Sequence, residues 1–288
     1  MRLGDGPSDN FEDRTGSPGG FGFGGGGGNL LGCLLPLVAS RFGLVGVAVL
    51  LLGYCALTQL GGGGGGGLLP GGQQTNAPSG QSTLSPENRR LLTGVLESTD
   101  SVWTQIFQAS GARYVEPRLV AYTRGTSTAC GAGQAAMGPF YCPNDQRIYI
   151  DPTFFSELSG RFGATGDFAQ YYVIAHEVGH HVQNLLGVHE RFGRNRSNEA
   201  SVAIELQADC FAGVWGHSTQ QRSILEAGDL EDALNAASAI GDDRIQQRMG
   251  GGVQPESFTH GSAQQRVEWF RRGFESGDPA QCDTFAGS

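Results

Sequence analysis

Tyr171-Tyr172-Val173-Ile174-Ala175-His176-Glu177-Val178-Gly179-His180-His181 is the stretch on which the reading of this chain turns. The apolar run ahead of the histidines, from Phe168, and Gly187 behind them predict a helix over 168–186. His176 and His180 stand four residues apart, so their imidazoles leave one helix face a turn apart and can share a metal ion. Glu177 points slightly aside, toward a water on the metal rather than the metal itself. That is the logic of HExxH, two ligands and a general base. The competing reading is ordinary core or surface histidines. Against it, two histidines and a glutamate on so apolar a helix would be buried polar groups in need of partners. Gly179 keeps the backbone open between the ligands.

A catalytic zinc takes three protein ligands and keeps one position for water. A third histidine in the run HExxHxxGxxH fails here, because Gln183 stands at the glycine position and Leu186 at the last one. Glu205-Leu206-Gln207-Ala208-Asp209 offers the other solution. Glu205 and Asp209 share one face of a second helix, Glu205 as the third ligand and Asp209 as the acceptor for the free nitrogen of a ligand histidine. A solvated acidic face is the bland alternative, but Val202, Ala203, Ile204, Leu206, Phe211 and Trp215 make this helix largely apolar. One zinc ion is the cofactor expected.

Outward from these helices, Ser85-Pro86-Glu87 predicts an N-cap with proline at the first helical position and a helix to about Ser110. Leu119 to Tyr122 and Arg147 to Ile150 predict short strands. Between them lie a Gly/Ala/Cys-rich loop and Gly138-Pro139-Phe140-Tyr141. Phe140 and Tyr141 are substrate-binding candidates, on an edge strand able to pair with an extended peptide. A short helix from Asp151 to Leu158 and helices over 198–215, 229–239 and 262–274 complete an α+β domain, mostly helical with a small sheet.

A tetrahedral oxyanion needs a donor besides the metal. His260, in the Thr-His-Gly-Ser stretch opening the last helix, is the candidate, against an ordinary helix-start residue; Tyr141 is the weaker one. His181 faces away from the ligand pair, and His189 and His217 read as surface residues. Asp242-Asp243 reads as a helix cap rather than a cation site.

The chain has 288 residues, 48 of them glycine, and a net charge of −9. That charge, with no dense arginine stripe, argues against a nucleic-acid partner. Residues 1–40 read as a disordered, polar then glycine-rich segment, 41–60 as one transmembrane helix, 61–84 as a flexible linker, and 85–288 as the enzymatic domain. Arg2, Arg14 and Arg41 precede the apolar stretch and no arginine follows until Arg89. The positive-inside rule then places the N-terminus in the cytoplasm and the domain outside it, on a single-pass anchor in the cell membrane. None of the six cysteines forms a CxxC pair. Cys130, Cys142, Cys210 and Cys282 make an even set in the domain and allow three pairings or four free thiols. Cys130 with Cys142 and Cys210 with Cys282 is the preferred pairing, in an oxidising compartment.

HEVGHH followed by ELQAD is similar to the gluzincin class of metallopeptidases. More closely, the chain resembles the bacterial membrane-anchored "putative neutral zinc metallopeptidase" family. The resemblance covers Ser8 to Arg14, the apolar anchor, Gly138 to Pro143, Ile240 to Asp243 and Thr259 to Ser262. It implies a zincin-like fold, His176, His180 and Glu205 as zinc ligands, Glu177 as catalytic base, and a peptide or protein substrate. Two rival readings remain. One is a catalytically inactive zinc-binding interaction module at the membrane, which Glu177 disfavours because a structural site needs no base and closes with four protein ligands. The other is a zinc amidase acting on cell-wall peptide.

Overall fold

In a computed structural model of the chain, described here for residues 3, 9–17, 81–192, 197–250 and 252–286, helices dominate and a four-stranded sheet lies against them. All the described residues belong to one compact unit. The expected transmembrane helix and the linker lie outside the described residues. Among the described residues, no helix is long and apolar enough to cross a membrane.

The first long helix, α1 (Pro86–Ala109), begins as its sequence predicts, with the Ser85 side chain accepting from Asn88 N at 3.0 Å. It leads into β2 (Arg118–Ala121). Next come a hairpin, β3 (Gly125–Thr128) with β4 (Gly131–Gln134), and the antiparallel pair β5 (Phe140–Cys142) and β6 (Arg147–Ile150). Five main helices follow: α2 (Thr153–Gly160), α3 (Asp167–Leu185), α5 (Asn198–Gln221), α6 (Asp229–Ala239) and α8 (Ala263–Ser276). The short α4 (Val188–Arg191) and α7 (Asp242–Arg248) lie between them. Ser262 caps α8 in a capping box with Gln265.

With Phe11–Asp13 as β1, the sheet order is β1-β2-β6-β5, which leaves β5 on an edge. Its other edge corrects the expectation of a disordered N-terminal segment: β1 is Phe11–Asp13, paired in parallel with β2, with Phe11 opposite Leu119. Low apolar content argues for disorder, but partly buried charges hold this strand together with the Phe11 ring, which packs against the core. Glu12 meets Arg14 at 2.6 Å and Arg147 at 3.1 Å, Asp13 pairs with Arg89, and the Arg89 guanidinium lies 5.2 Å from the Phe11 ring centre. Leu119 N donates to Asn10 O and Arg14 N to Ala121 O, extending the ladder at both ends.

The core joins both layers. Trp215 stacks on Phe168, and Trp103 meets Phe211 edge-on, in a cluster that includes Leu92, Leu96, Leu119, Ile148 and Ile150. Helices α5 and α8 pack closely because each presents a glycine to the other's backbone. A Cβ on Gly273 would lie 1.9 Å from Cys210 O, and one on Gly213 would lie 2.1 Å from Phe270 O. Both expected disulfides are formed, Cys130–Cys142 and Cys210–Cys282.

Candidate metal centre

Helix α3 carries the two histidines on the face it turns toward α5, and their ring centres are 4.8 Å apart. The helices come this close because of Gly179. A Cβ there would sit 2.9 Å from Ala208 O and 3.1 Å from Ala208 Cα. The glycine therefore serves the approach of α5, the helix that delivers Glu205 and Asp209, rather than openness between the ligands.

Glu205 inserts its carboxylate between the two imidazoles, Oε2 at 3.1 Å from His176 Nε2 and Oε1 at 3.4 Å from His180 Nε2. One atom from each of the three residues lies within 4.8 Å of the others, so one ion can touch all three. The rear nitrogens are committed elsewhere. His176 Nδ1 lies 2.8 Å from Asp209 Oδ1, and His180 Nδ1 lies 2.9 Å from Gln183 Oε1. Both rear partners are acceptors, so each Nδ1 donates to its partner and each Nε2 is the nitrogen turned to the shared space. Two imidazole nitrogens and one carboxylate form the donor set of an open zinc site.

Behind the ligands are groups that the sequence reading missed. Arg266 of α8 is fully buried, with Nε 2.8 Å from Asp209 Oδ2 and Nη2 2.9 Å from Asp209 Oδ1. Tyr172 donates to the same carboxylate at 2.5 Å. On the other side, Gln183 Nε2 donates to Ile204 O and to Gln207 Oε1, and Gln207 Nε2 donates to Cys282 O at 2.8 Å. Gln183, read in sequence only as a missing glycine, orients His180. The signal that could have exposed Arg266 is weak: an arginine inside the apolar face of α8, between Ala263 and Phe270.

The electrostatics follow from burial and these partners. Burial works against charge on Asp209, but Arg266 and His176 outweigh it and hold the carboxyl down at about 2. Glu205 is likewise held well below its ordinary value by the two histidines despite its burial. Burial lowers both histidines, yet the carboxylates win and raise them, Asp209 at His176 and Glu205 at His180. A negative pocket that draws protons onto two imidazoles is equally suited to a dication. Burial raises Glu177, whose carboxyl receives no hydrogen bond among the described residues. It lines the same cleft, of about 660 Å³, as the three candidate ligands.

Other candidates fall into place around that cleft. Phe140 and Tyr141 line it from β5, an edge strand among the described residues. The Tyr141 hydroxyl is engaged below it, 3.0 Å from His181 Nδ1 and accepting from Asn184 Nδ2 at 3.1 Å. His181 donates from Nε2 to Val115 O at 2.6 Å and is driven down to about 4 by burial, so this neutral histidine ties α3 to the sheet. His260 also lines the cleft, with its side chain half exposed. Its Nδ1 lies 2.9 Å from Thr259 Oγ1 and 3.2 Å from Asp242 Oδ1. Asp242 also accepts from the backbone N–H groups of Thr259, His260 and Gly261, and Asp243 accepts from Ala263 N at the start of α8. Asp243 thus holds the first N–H of α8, and Asp242 ties down the loop that precedes it.

Two histidines depart from the surface reading. His189 is half-buried in the cleft wall with Nε2 3.3 Å from His180 O. His217 is half-buried and donates to Phe274 O at 2.7 Å, joining α5 to α8. Tertiary packing covers both.

Comparison with known proteins gives one family. Residues 2–285 match the family described as "Putative neutral zinc metallopeptidase". "Uncharacterized protein YpfJ" of Escherichia coli K12 is 49% identical over 98% of this chain and 97% of its own length. "Uncharacterized protein Rv2575" of Mycobacterium tuberculosis H37Rv is 45% identical over 66% of this chain and 68% of its own. No solved structure matches the chain.

Proposed function

We propose, from the premise that this chain belongs to the "putative neutral zinc metallopeptidase" family, that it hydrolyses peptide bonds with one zinc ion held by His176, His180 and Glu205. The observation that carries this reading is the Glu205 carboxylate set between two imidazoles whose rear nitrogens are already bonded to Asp209 and Gln183. Zinc, when bound, supplies a Lewis acid that polarises a carbonyl and acidifies a water.

The chain's own groups do the rest. Glu177 takes a proton from the attacking water and returns it to the departing amine. Its burial favours the protonated form and so suits the second transfer. An extended peptide can pair with the edge strand β5, its carbonyl facing the ligand pair across the cleft. His260, held through Nδ1 beside the Asp242 carboxylate, is the side chain we assign as hydrogen-bond donor to the developing oxyanion. Two disulfides favour a domain that works in an oxidising compartment, held to a membrane by the apolar stretch at 41–60.

The test is cleavage of a peptide library by the full chain in detergent, beside Glu177→Gln. Zinc-dependent cleavage that falls by about 10²-fold or more in the variant, with zinc retained, is expected. Equal cleavage by both proteins would remove Glu177 from the mechanism.

A further inference from the structure

The chain leaves the domain and returns to it at the same place. Just ahead of the apolar stretch, Phe11–Asp13 is a strand of the domain's own sheet, and Thr15 is buried beside it. Just after that stretch, Ser82 donates to Asp13 Oδ2 at 2.6 Å. Thr83 N donates to Thr15 Oγ1 at 3.1 Å, and Thr83 Oγ1 donates to Thr15 O at 3.2 Å. Arg89, on the first helix after the stretch, pairs with Asp13. Residues 13–15 and 82–89 are therefore hydrogen-bonded neighbours, although the apolar sequence lies between them.

A single crossing would put these neighbours on opposite sides of the bilayer. It would leave β2 without β1, and Glu12 without Arg118 and Arg147. An even number of crossings is the alternative, but the length is short. The 31 residues from Leu30 to Leu60 reach about 46 Å even at a helical rise of 1.5 Å each, against roughly 60 Å for two passes. The arginine bias behind the single-pass expectation is also thin. It rests on Arg2, Arg14 and Arg41, and Arg14 is used by the fold itself, 2.6 Å from Glu12 and bonded to Thr126.

We infer that the apolar stretch binds the membrane without net crossing, so that the N-terminal strand and the domain lie on the same face. The partner surface is the hydrocarbon edge of a bilayer, and the strand-to-linker bonds are the clasp that closes the excursion. This does not depend on the zinc reading.

The test uses the full chain in native membranes. In a background with Cys33→Ser and Cys55→Ser, Ser17→Cys or Glu275→Cys adds one free thiol at an exposed site. Each is treated with a membrane-impermeant maleimide on intact and on permeabilised vesicles. The expected result is that both sites label from the same side and that the chain stays with the membrane in alkaline carbonate. Labelling from opposite sides would overturn the inference, and release by carbonate would overturn its membrane part. Thr15→Cys with Thr83→Cys tests the clasp, with a crosslink expected on oxidation of the membrane-bound chain. Absence of the crosslink would show that shared sidedness has another cause. Which face is labelled decides the compartment proposed above, separately from whether the face is shared.

Discussion

The helices that carry the candidate ligands and the sheet beside them are held in different ways. Around α3, α5 and α8, charged and polar groups are buried and bonded to one another, from Arg266 through Asp209 to His176 and from Cys282 through Gln207 and Gln183 to His180. At the β1 edge of the sheet, charges are only partly buried and clamp a strand that contributes little core. The contrast teaches where a substitution should be felt: in metal binding on the helical side, and in stability alone on the sheet side.

The largest effect should come from breaking the helical network at its base. Arg266→Met leaves the Asp209 carboxylate buried without its cation and should cost about 3–5 kcal/mol, read as a fall in the urea midpoint. A cost near zero would mean that Asp209 is solvated and that the network is not the support described.

The two disulfides sharpen the comparison. Cys210–Cys282 spans 72 residues and should contribute about 4 kcal/mol by loop-closure entropy; Cys130–Cys142 spans 12 and should contribute about 3. Serine replacement of either pair should lower stability. Only loss of the first should also weaken zinc binding, because Cys282 O accepts from Gln207. Zinc titration of both variants separates the effects.

Smaller again is the paired contrast of Gln183→Ala with Phe11→Asp. The first should weaken zinc binding about 10-fold, since a partner of a ligand histidine is lost, and should cost about 1–3 kcal/mol of stability through the buried bonds to Ile204 and Gln207. The second should lower stability and leave zinc affinity unchanged in the folded chain.

The smallest expected effect is that of a pH titration at Asp100, beneath the turn into β2. Burial, and then nearby Glu116, raise its carboxyl to about 8, and Tyr114 donates to it at 3.1 Å. The folded state therefore keeps a proton that the unfolded chain has lost. Its contribution to stability is present at low pH and is lost as pH rises from about 4 through 8. Asp100→Asn should flatten that slope and stabilise the fold above pH 8 relative to the wild type, measured by denaturant unfolding across pH.

Much of the helical side was legible because its information is local. A spacing of four residues places His176 with His180 and Glu205 with Asp209, and caps at Ser85 and Ser262 mark helix starts. Arg266 was not legible, since its meaning comes from a carboxylate 57 residues away. The sheet side was legible only as isolated short strands. β1 pairs in parallel with a strand more than a hundred residues later, and no periodicity in Phe11-Glu12-Asp13 announces it. The same long-range pairing has a practical consequence: a chain begun at Ser85 would lack β1 and leave the β2 edge open.

The most direct test of the central claim is the zinc stoichiometry of the full chain purified without chelator, beside Glu205→Ala. One zinc per wild-type chain and close to none in the variant are predicted, because Glu205 supplies the third donor. A metal-free wild type, or a full zinc complement in Glu205→Ala, would contradict a site built from His176, His180 and Glu205.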